Sequence, residues 1–273
     1  MKILISNDDG IAAIGIRCLI EVLSKEHDVY VVAPDRERSA AGHSLTLHTP
    51  LRVEELESKF GAKRVWVTSG TPGDCVKMGI AAILEENEKP DIVISGINHG
   101  PNLGIDILYS GTVSCAMEGA MLGYPAIAVS LASMSPESMY FVSTANFVRK
   151  LLPQVEKMKF PKKTILNVNT PALLEEDVAG VEITKLGTKM FTDAYEKRVD
   201  PRGKVYYWMA GELTTKHEED GTDIAALRNN RVSITPISFE MTNYDIMKEI
   251  ENRFCKDGVC DWYGYSEESA SEE

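Results

Sequence analysis

Four polar segments carry groups able to handle ions, and the first three each follow an apolar run. The first is Asn7-Asp8-Asp9-Gly10. Adjacent carboxylates repel each other, and a divalent cation would cancel that repulsion. Carboxylate oxygens suit Mg²⁺, Mn²⁺ or Ca²⁺. A solvated loop would also tolerate the pair, so its position in the fold decides. The second segment is Ala33-Pro34-Asp35-Arg36-Glu37-Arg38-Ser39-Ala40. Its charges suit a solvated loop and Ser39 suits a turn or cap, but the loop is expected to face the same crevice as Asp8 and Asp9. The third is Ser95–Gly104, with three glycines and one proline that force tight turns. Asn98 offers a neutral amide oxygen, either to a metal or to a turn. His99 is a candidate general acid or an ordinary loop histidine. The fourth is Tyr109-Ser110-Gly111-Thr112-Val113, which opens a helix. Hydroxyls and free N–H groups there bind anions, with help from the helix dipole, and Ser110 is also a fair N-cap.

The elements that must position these groups alternate along the chain. Apolar runs at Lys2–Ser6, Asp28–Ala33, Arg64–Thr68, Asp91–Ser95, Ala126–Leu131 and Thr164–Val168 read as strands. Helical patterns cover Ile14–Lys25, Thr71-Pro72 to about Glu86, Gly111 to near Gly123, and about Pro136 to Met158. Strands apolar on both faces and separated by helices predict a Rossmann-like three-layer α/β/α core over residues 1–186. Ligands of such sheets lie beyond the carboxyl ends of the strands, where the polar segments fall. Residues 187–273 read as C-terminal extensions of the same domain, arms that reach a partner subunit. They hold an aromatic strand Val205–Met209, a polar loop Glu212–Asp223, a strand Arg231–Pro236 and a helix Asn243–Phe254. The acidic end Glu267–Glu273 is expected to be disordered.

Composition excludes some classes. With 29 basic against 41 acidic residues the net charge is −12, so no nucleic-acid polymer or anionic membrane is expected as partner. A substrate anion needs a local reversal of that field, from a cation and from backbone N–H groups. No apolar run reaches the length of a membrane span, and Met1–Ile5 starts a strand and not a leader. The five cysteines are Cys18, Cys75, Cys115, Cys255 and Cys260. Their odd count fits reduced thiols and a cytoplasmic location, and the isolated Cys255/Cys260 pair reads as free thiols. A G-x-G-x-x-G after the first strand, a Walker A lysine and a G-x-S-x-G elbow are all absent. Gly10 stands where a haloacid-dehalogenase-type phosphatase needs its second aspartate.

Taken together, ILISNDDG, APDRERSA, SGTPGDC, SGINHGPNLG and YSGTVSCAMEGA resemble the SurE family of stationary-phase survival proteins, which act as 5′-nucleotidases. LNVNTP, YYW, and GTD followed by VSITP extend the resemblance over nearly the whole chain. Asn229-Asn230-Arg231 departs from the family's more usual Gly-Tyr. The resemblance implies a Rossmann-like core whose C-terminal extensions exchange in a homodimer or homotetramer. It implies a divalent metal site at Asp8, Asp9, Ser39 and Asn98, and a phosphate site at Ser110, Gly111 and Thr112 close to Asn7.

The expected chemistry is metal-assisted hydrolysis of nucleoside 5′-monophosphates, with Mg²⁺ or Mn²⁺ as cofactor. Asp8 or Asp9 takes a proton from water, and Ser110–Thr112 hold phosphate oxygens. The donors of Ser110–Thr112 are expected to serve the anion and not the cation. 3′-Nucleotides and polyphosphate stay open as further substrates. Two alternatives remain: a nucleotide-binding sensor without turnover, and an enzyme acting mainly on polyphosphate.

Overall fold

Strands apolar on both faces need cover on both sides, and the chain supplies it by alternating strands with helices. The computed structural model describes residues 1–58, 60–133, 138–188, 194–211, 219–256 and 259–260. The strands are β1 (Lys2–Ser6), β2 (Asp28–Pro34), β3 (Val53–Leu56), β4 (Arg64–Thr68), β5 (Ile92–His99), β6 (Ala126–Ala132), β7 (Thr164–Pro171), β8 (Val181–Ile183), β9 (Tyr195–Val199), β10 (Val205–Met209) and β11 (Val232–Ser238). The helices are α1 (Ile14–Leu23), α2 (Pro72–Met78), α3 (Gly111–Met121), α4 (Ser138–Val155), α5 (Asp223–Arg228) and α6 (Tyr244–Phe254).

Nine strands form one sheet in the order β3-β4-β2-β1-β5-β6-β7-β11-β8. The run from β4 to β7 is parallel, while β3 and β11 pair antiparallel with β4 and β7. The α/β expectation is borne out. α1 packs with α4 and α2 packs with α3, and both pairs lie against the central strands. Alternate strand residues serve the two sides. Ile3, Ile5, Val29, Val31, Ile92 and Ile94 join α1 and α4 in one continuous core. Leu4 and Val32 meet α2's extension at Gly79.

Because the chain leaves β1 for β2 on one side and later returns to β5 on the other, the strand order reverses between β1 and β5. A crevice opens at the carboxyl ends of such a pair. Two glycines let helices approach β5. A Cβ at Gly15 on α1 would lie 1.9 Å from the Ile97 carbonyl oxygen, and one at Gly119 on α3 would lie 2.8 Å from Val93.

Several boundaries differ from the sequence expectation, each for a local reason. β5 continues into the glycine-rich segment because one extra residue between Ser95 and Asn98 forms a bulge against β6. Gly96 sits there at φ +132°, and a Cβ on it would meet the Val129 carbonyl oxygen at 2.3 Å. Such a bulge re-aims the side chains that follow. α2 stops at Met78, and the chain widens into a single looser turn over Gly79–Ile83. α5 begins at Asp223, at the end of the expected polar loop. The edge strands β3 and β8 and the hairpin strand β9 carry no strand pattern in the sequence. The expected start of α4 at Pro136, most of the loop from Glu212, and the acidic end Glu267–Glu273 lie outside the described residues.

β9 and β10 form an antiparallel hairpin. Its large side chains face solvent: Trp208 is 60% exposed and Tyr207 59%. A second compact unit begins at Phe239. It holds α6 and a short antiparallel pairing that sets Cys255 opposite Cys260. Cys255 is disulfide-bonded, which corrects the free-thiol expectation for it. The pairing of 255–256 with 259–260 sets the two backbone positions opposite each other. Cys18, Cys75 and Cys115 are buried free thiols.

Candidate active site

β1 delivers Asn7, Asp8 and Asp9 straight into the crevice. Asn7 is fully buried, and its side-chain amide donates to the Gly10 carbonyl at 3.0 Å. That bond closes the turn, which Gly10 allows by adopting φ +89°. The Asn7 amide oxygen is buried without a partner. Asp8 is 4% exposed. Its carboxylate accepts from the Thr112 hydroxyl at 2.5 Å. Burial pushes the Asp8 carboxyl above its usual range, and the Thr112 bond opposes that rise. Asp9 accepts from the His99 backbone N–H at 3.0 Å. Burial first, and the neighbouring Asp8 charge second, push Asp9 up to about 6.

The other polar segments converge on these aspartates. The Arg38 backbone N–H donates to the Asp8 carbonyl at 2.7 Å, so the segment that carries Ser39 docks on the end of β1. The Ser39 hydroxyl itself is exposed and donates to Glu37 at 2.8 Å. Asn98 donates its amide to the Gly100 carbonyl at 2.8 Å, which leaves its amide oxygen as the acceptor. His99 is exposed; its backbone meets Asp9, while its ring lies 5.9 Å from the Phe141 ring.

α3 opens the fourth segment. The Ser110 hydroxyl accepts from Val113 N–H at 3.1 Å and caps the helix. Gly111 must lack a side chain: a Cβ there would lie 2.6 Å from the Asp8 Cβ. Helix start and carboxylate are thus in direct contact. The Thr112 hydroxyl, expected to serve an anion, is engaged by the Asp8 carboxylate in this structure.

The pair Asp8–Asp9 fits a hard cation on chemical grounds. Two partly or fully buried carboxylates, both with raised pKa, hold negative charge that their surroundings only partly offset. Among the described residues no group of three His, Cys, Asp or Glu side chains gathers to hold a metal. A site here would be completed by neutral oxygens, which suits Mg²⁺ or Mn²⁺ and not a thiolate-bound zinc.

Sequence reasoning missed the groups that brace this crevice. Asn102 is held from β6 and β7: its N–H donates to Asn169 at 2.8 Å, its amide to Ser130 at 2.8 Å, and its carbonyl accepts from Asn167 and Asn169, both at 2.9 Å. Asp223, fully buried at the start of α5, accepts from Gly104 N–H at 2.8 Å and Gly187 N–H at 2.7 Å. Asp74 completes a capping box on α2 and accepts from Thr46 N–H at 3.1 Å. The signals were the polar residues inside the apolar LNVNTP strand and the aspartate of GTD, since polar groups in such positions need partners.

A doubly wound sheet with an aspartate pair and a helix N-terminus at its switch point defines the class, an α/β protein with polar groups gathered at the carboxyl ends of its strands. The particular group follows from the match: residues 3–193 fit the family described as Survival protein SurE, and the chain belongs to that family. It is 50% identical over 248 residues to the 5′-nucleotidase SurE of Thermosynechococcus vestitus, covering 89% of this chain and 92% of that protein. It is 46% identical over 253 residues to the 5′-nucleotidase SurE of Carboxydothermus hydrogenoformans, covering 92% and 95%. The crystal structure of the SurE protein from Aquifex aeolicus superposes with a TM-score of 0.79 at 43% identity, over 92% of this chain and 98% of that one.

Proposed function

We propose that the chain is a metal-dependent 5′-nucleotidase, releasing phosphate from nucleoside 5′-monophosphates. The observation that carries this is the contact between Asp8 and the start of α3, which sets a carboxylate pair against the N–H groups and the hydroxyl that open the helix. The names of the relatives supply the nucleotide.

Asp8, Asp9, Ser39 and Asn98 would hold one divalent cation, Mg²⁺ or Mn²⁺. When bound, it would neutralise phosphate charge and polarise the ester. The chain's own groups do the rest. The N–H groups of Gly111 and Thr112, with Ser110 and Asn7, receive phosphate oxygens and keep hold as charge moves to the leaving group. Asp9, the more open of the two carboxylates, accepts the proton from attacking water. Asp8 stays in place on Thr112.

These groups read phosphate and nothing of the base. 3′-Nucleotides and polyphosphate are therefore proposed as further substrates. The exposed aromatic hairpin β9–β10 supports a homodimer or homotetramer, since such a surface is costly on a monomer. Among the described residues no helix is long and apolar enough to cross a membrane. The three buried free thiols favour a cytoplasmic location, and the Cys255 disulfide weighs against it. The deciding experiment is a substrate panel on purified protein, with 5′- and 3′-monophosphates, polyphosphate and a generic phosphate ester. Turnover greatest on 5′-monophosphates is expected. Nucleotide binding without turnover of any ester would overturn the proposal.

A further inference from the structure

Glu118 has no part in the reaction described above, yet it is 1% exposed on α3. A buried carboxylate needs compensation. His43 Nε2 lies 2.9 Å from one of its oxygens, and Lys77 Nζ donates to the other at 2.7 Å. The His43 bond, ahead of the Lys77 bond, holds the Glu118 carboxyl below its usual range. Lys77 comes from the adjacent helix α2. His43 comes from the connection between β2 and β3.

That connection runs over residues 35–52 without helix or strand. Stretches of that length inside a compact domain are uncommon and usually functional. This one is fastened at intervals. Arg38 N–H reaches the Asp8 carbonyl at 2.7 Å, and Gly42 N–H reaches the Tyr109 carbonyl at 3.2 Å. The Thr71 hydroxyl donates to the Ser44 carbonyl at 2.7 Å, and Asp74 accepts from Thr46 N–H at 3.1 Å. His43 lies in the middle of these ties, and its side chain is three-quarters buried.

Glu118 lies eight residues beyond Ser110 on the same helix, about 12 Å along its axis. One rigid element therefore bears both the phosphate donors and an anchor for the segment with Ser39. We infer that Glu118 is a positioning residue: through His43 it holds segment 38–46, and Ser39 with it, against the crevice. The consequence for metal rests on the ligand set proposed above; the fastening of the segment does not.

The test uses the full chain and three variants. His43→Ala removes the link from the loop side, where refolding is least at risk. Glu118→Gln removes the charge at constant volume. Lys77→Ala breaks the other ion pair and leaves the loop link in place. Hydrogen exchange over 39–46, measured without metal, should speed up in the first two and stay unchanged in the third. Mn²⁺ binding by calorimetry should weaken roughly ten- to hundredfold in the first two, the usual effect of losing an outer support of a metal site. Lys77→Ala should stay within about twofold of wild type on the same scale. A merely structural Glu118 predicts equal effects from His43→Ala and Lys77→Ala, confined to thermal stability; that result overturns the inference. Unchanged exchange in His43→Ala overturns it as well. A wild-type chain that binds no Mn²⁺ overturns the metal reading instead, and the exchange data still decide the role of Glu118.

Discussion

Gly111→Ala isolates the close approach between α3 and Asp8, because alanine keeps the backbone N–H that would face phosphate. Helix propensity favours alanine over glycine by up to about 1 kcal/mol. Sterics oppose it: the new methyl would lie 2.6 Å from Asp8 Cβ and 2.8 Å from Oδ2. Rotating the side chain leaves Cβ in place, so either the Asp8 backbone, pinned by Arg38 N–H, or the start of α3 must shift, and the carboxylate leaves Thr112. Overpacking costs about 1–3 kcal/mol, and losing a hydrogen bond to a charged group about 1.5–3 more. The balance is therefore unfavourable by about 1.5–5 kcal/mol, so packing wins over propensity. Displacing the carboxylate should lower kcat/KM at least about a hundredfold, equivalent to roughly 2.7 kcal/mol in the transition state. The assay is phosphate release from a nucleoside 5′-monophosphate at saturating Mn²⁺, with thermal melting in parallel. Gly119→Ala is the control: its methyl would press on Val93, away from the crevice, so stability should fall while specific activity holds. A Gly111→Ala chain with normal kcat/KM and a raised Tm would refute the reasoning.

Further outcomes follow from the same geometry. Asp8→Asn and Asp9→Asn should each lose most turnover, and the metal-free Tm should stay level or rise, as circular dichroism melts would record; a normal rate in both would remove them as ligands. The raised carboxyl of Asp9, about 6 against an ordinary 3.8, means the folded chain holds a proton that the unfolded chain has released. Metal-free stability should therefore increase as pH falls from about 7 toward 5, and Asp9→Asn should flatten that rise in urea titrations. Thr112→Val should weaken Mn²⁺ binding as well as inhibition by phosphate, because its hydroxyl steadies Asp8; calorimetry with unchanged Mn²⁺ affinity would contradict this. Light scattering should show a dimer or larger assembly, and a monodisperse monomer at micromolar concentration would refute a subunit role for β9–β10.

Much of this arrangement is legible in the sequence because its signals are local. β1, β4 and β10 have the bounds their apolar runs indicate. Thr71-Pro72 announces a cap, and the structure places a capping box there. Asp8 and Asp9 stand out because polar residues follow an apolar run, and Ser110–Thr112 because hydroxyls open a helix. What stayed hidden depends on partners distant in sequence. Asn102 and Asn169 are 67 residues apart, and Gly104 and Asp223 are 119 apart. Nothing in either neighbourhood shows the other's side chain. Glu118 reads as one more helix carboxylate until His43 and Lys77 are seen on it. Gly96 looks like part of a loop, and pairing with β6 reveals that it extends a strand through a bulge. β3 and β8 are edge strands with exposed faces, so they lack the apolar alternation that marks a strand.

The central claim is that a divalent cation on Asp8 and Asp9 works with the start of α3 to release phosphate. Its most direct test is phosphate release from a nucleoside 5′-monophosphate by the wild-type chain, first stripped with chelator and then titrated with Mn²⁺ or Mg²⁺. Activity should vanish on stripping and return with added metal. Full turnover in the rigorously metal-free protein, or none after metal is restored, would contradict the account.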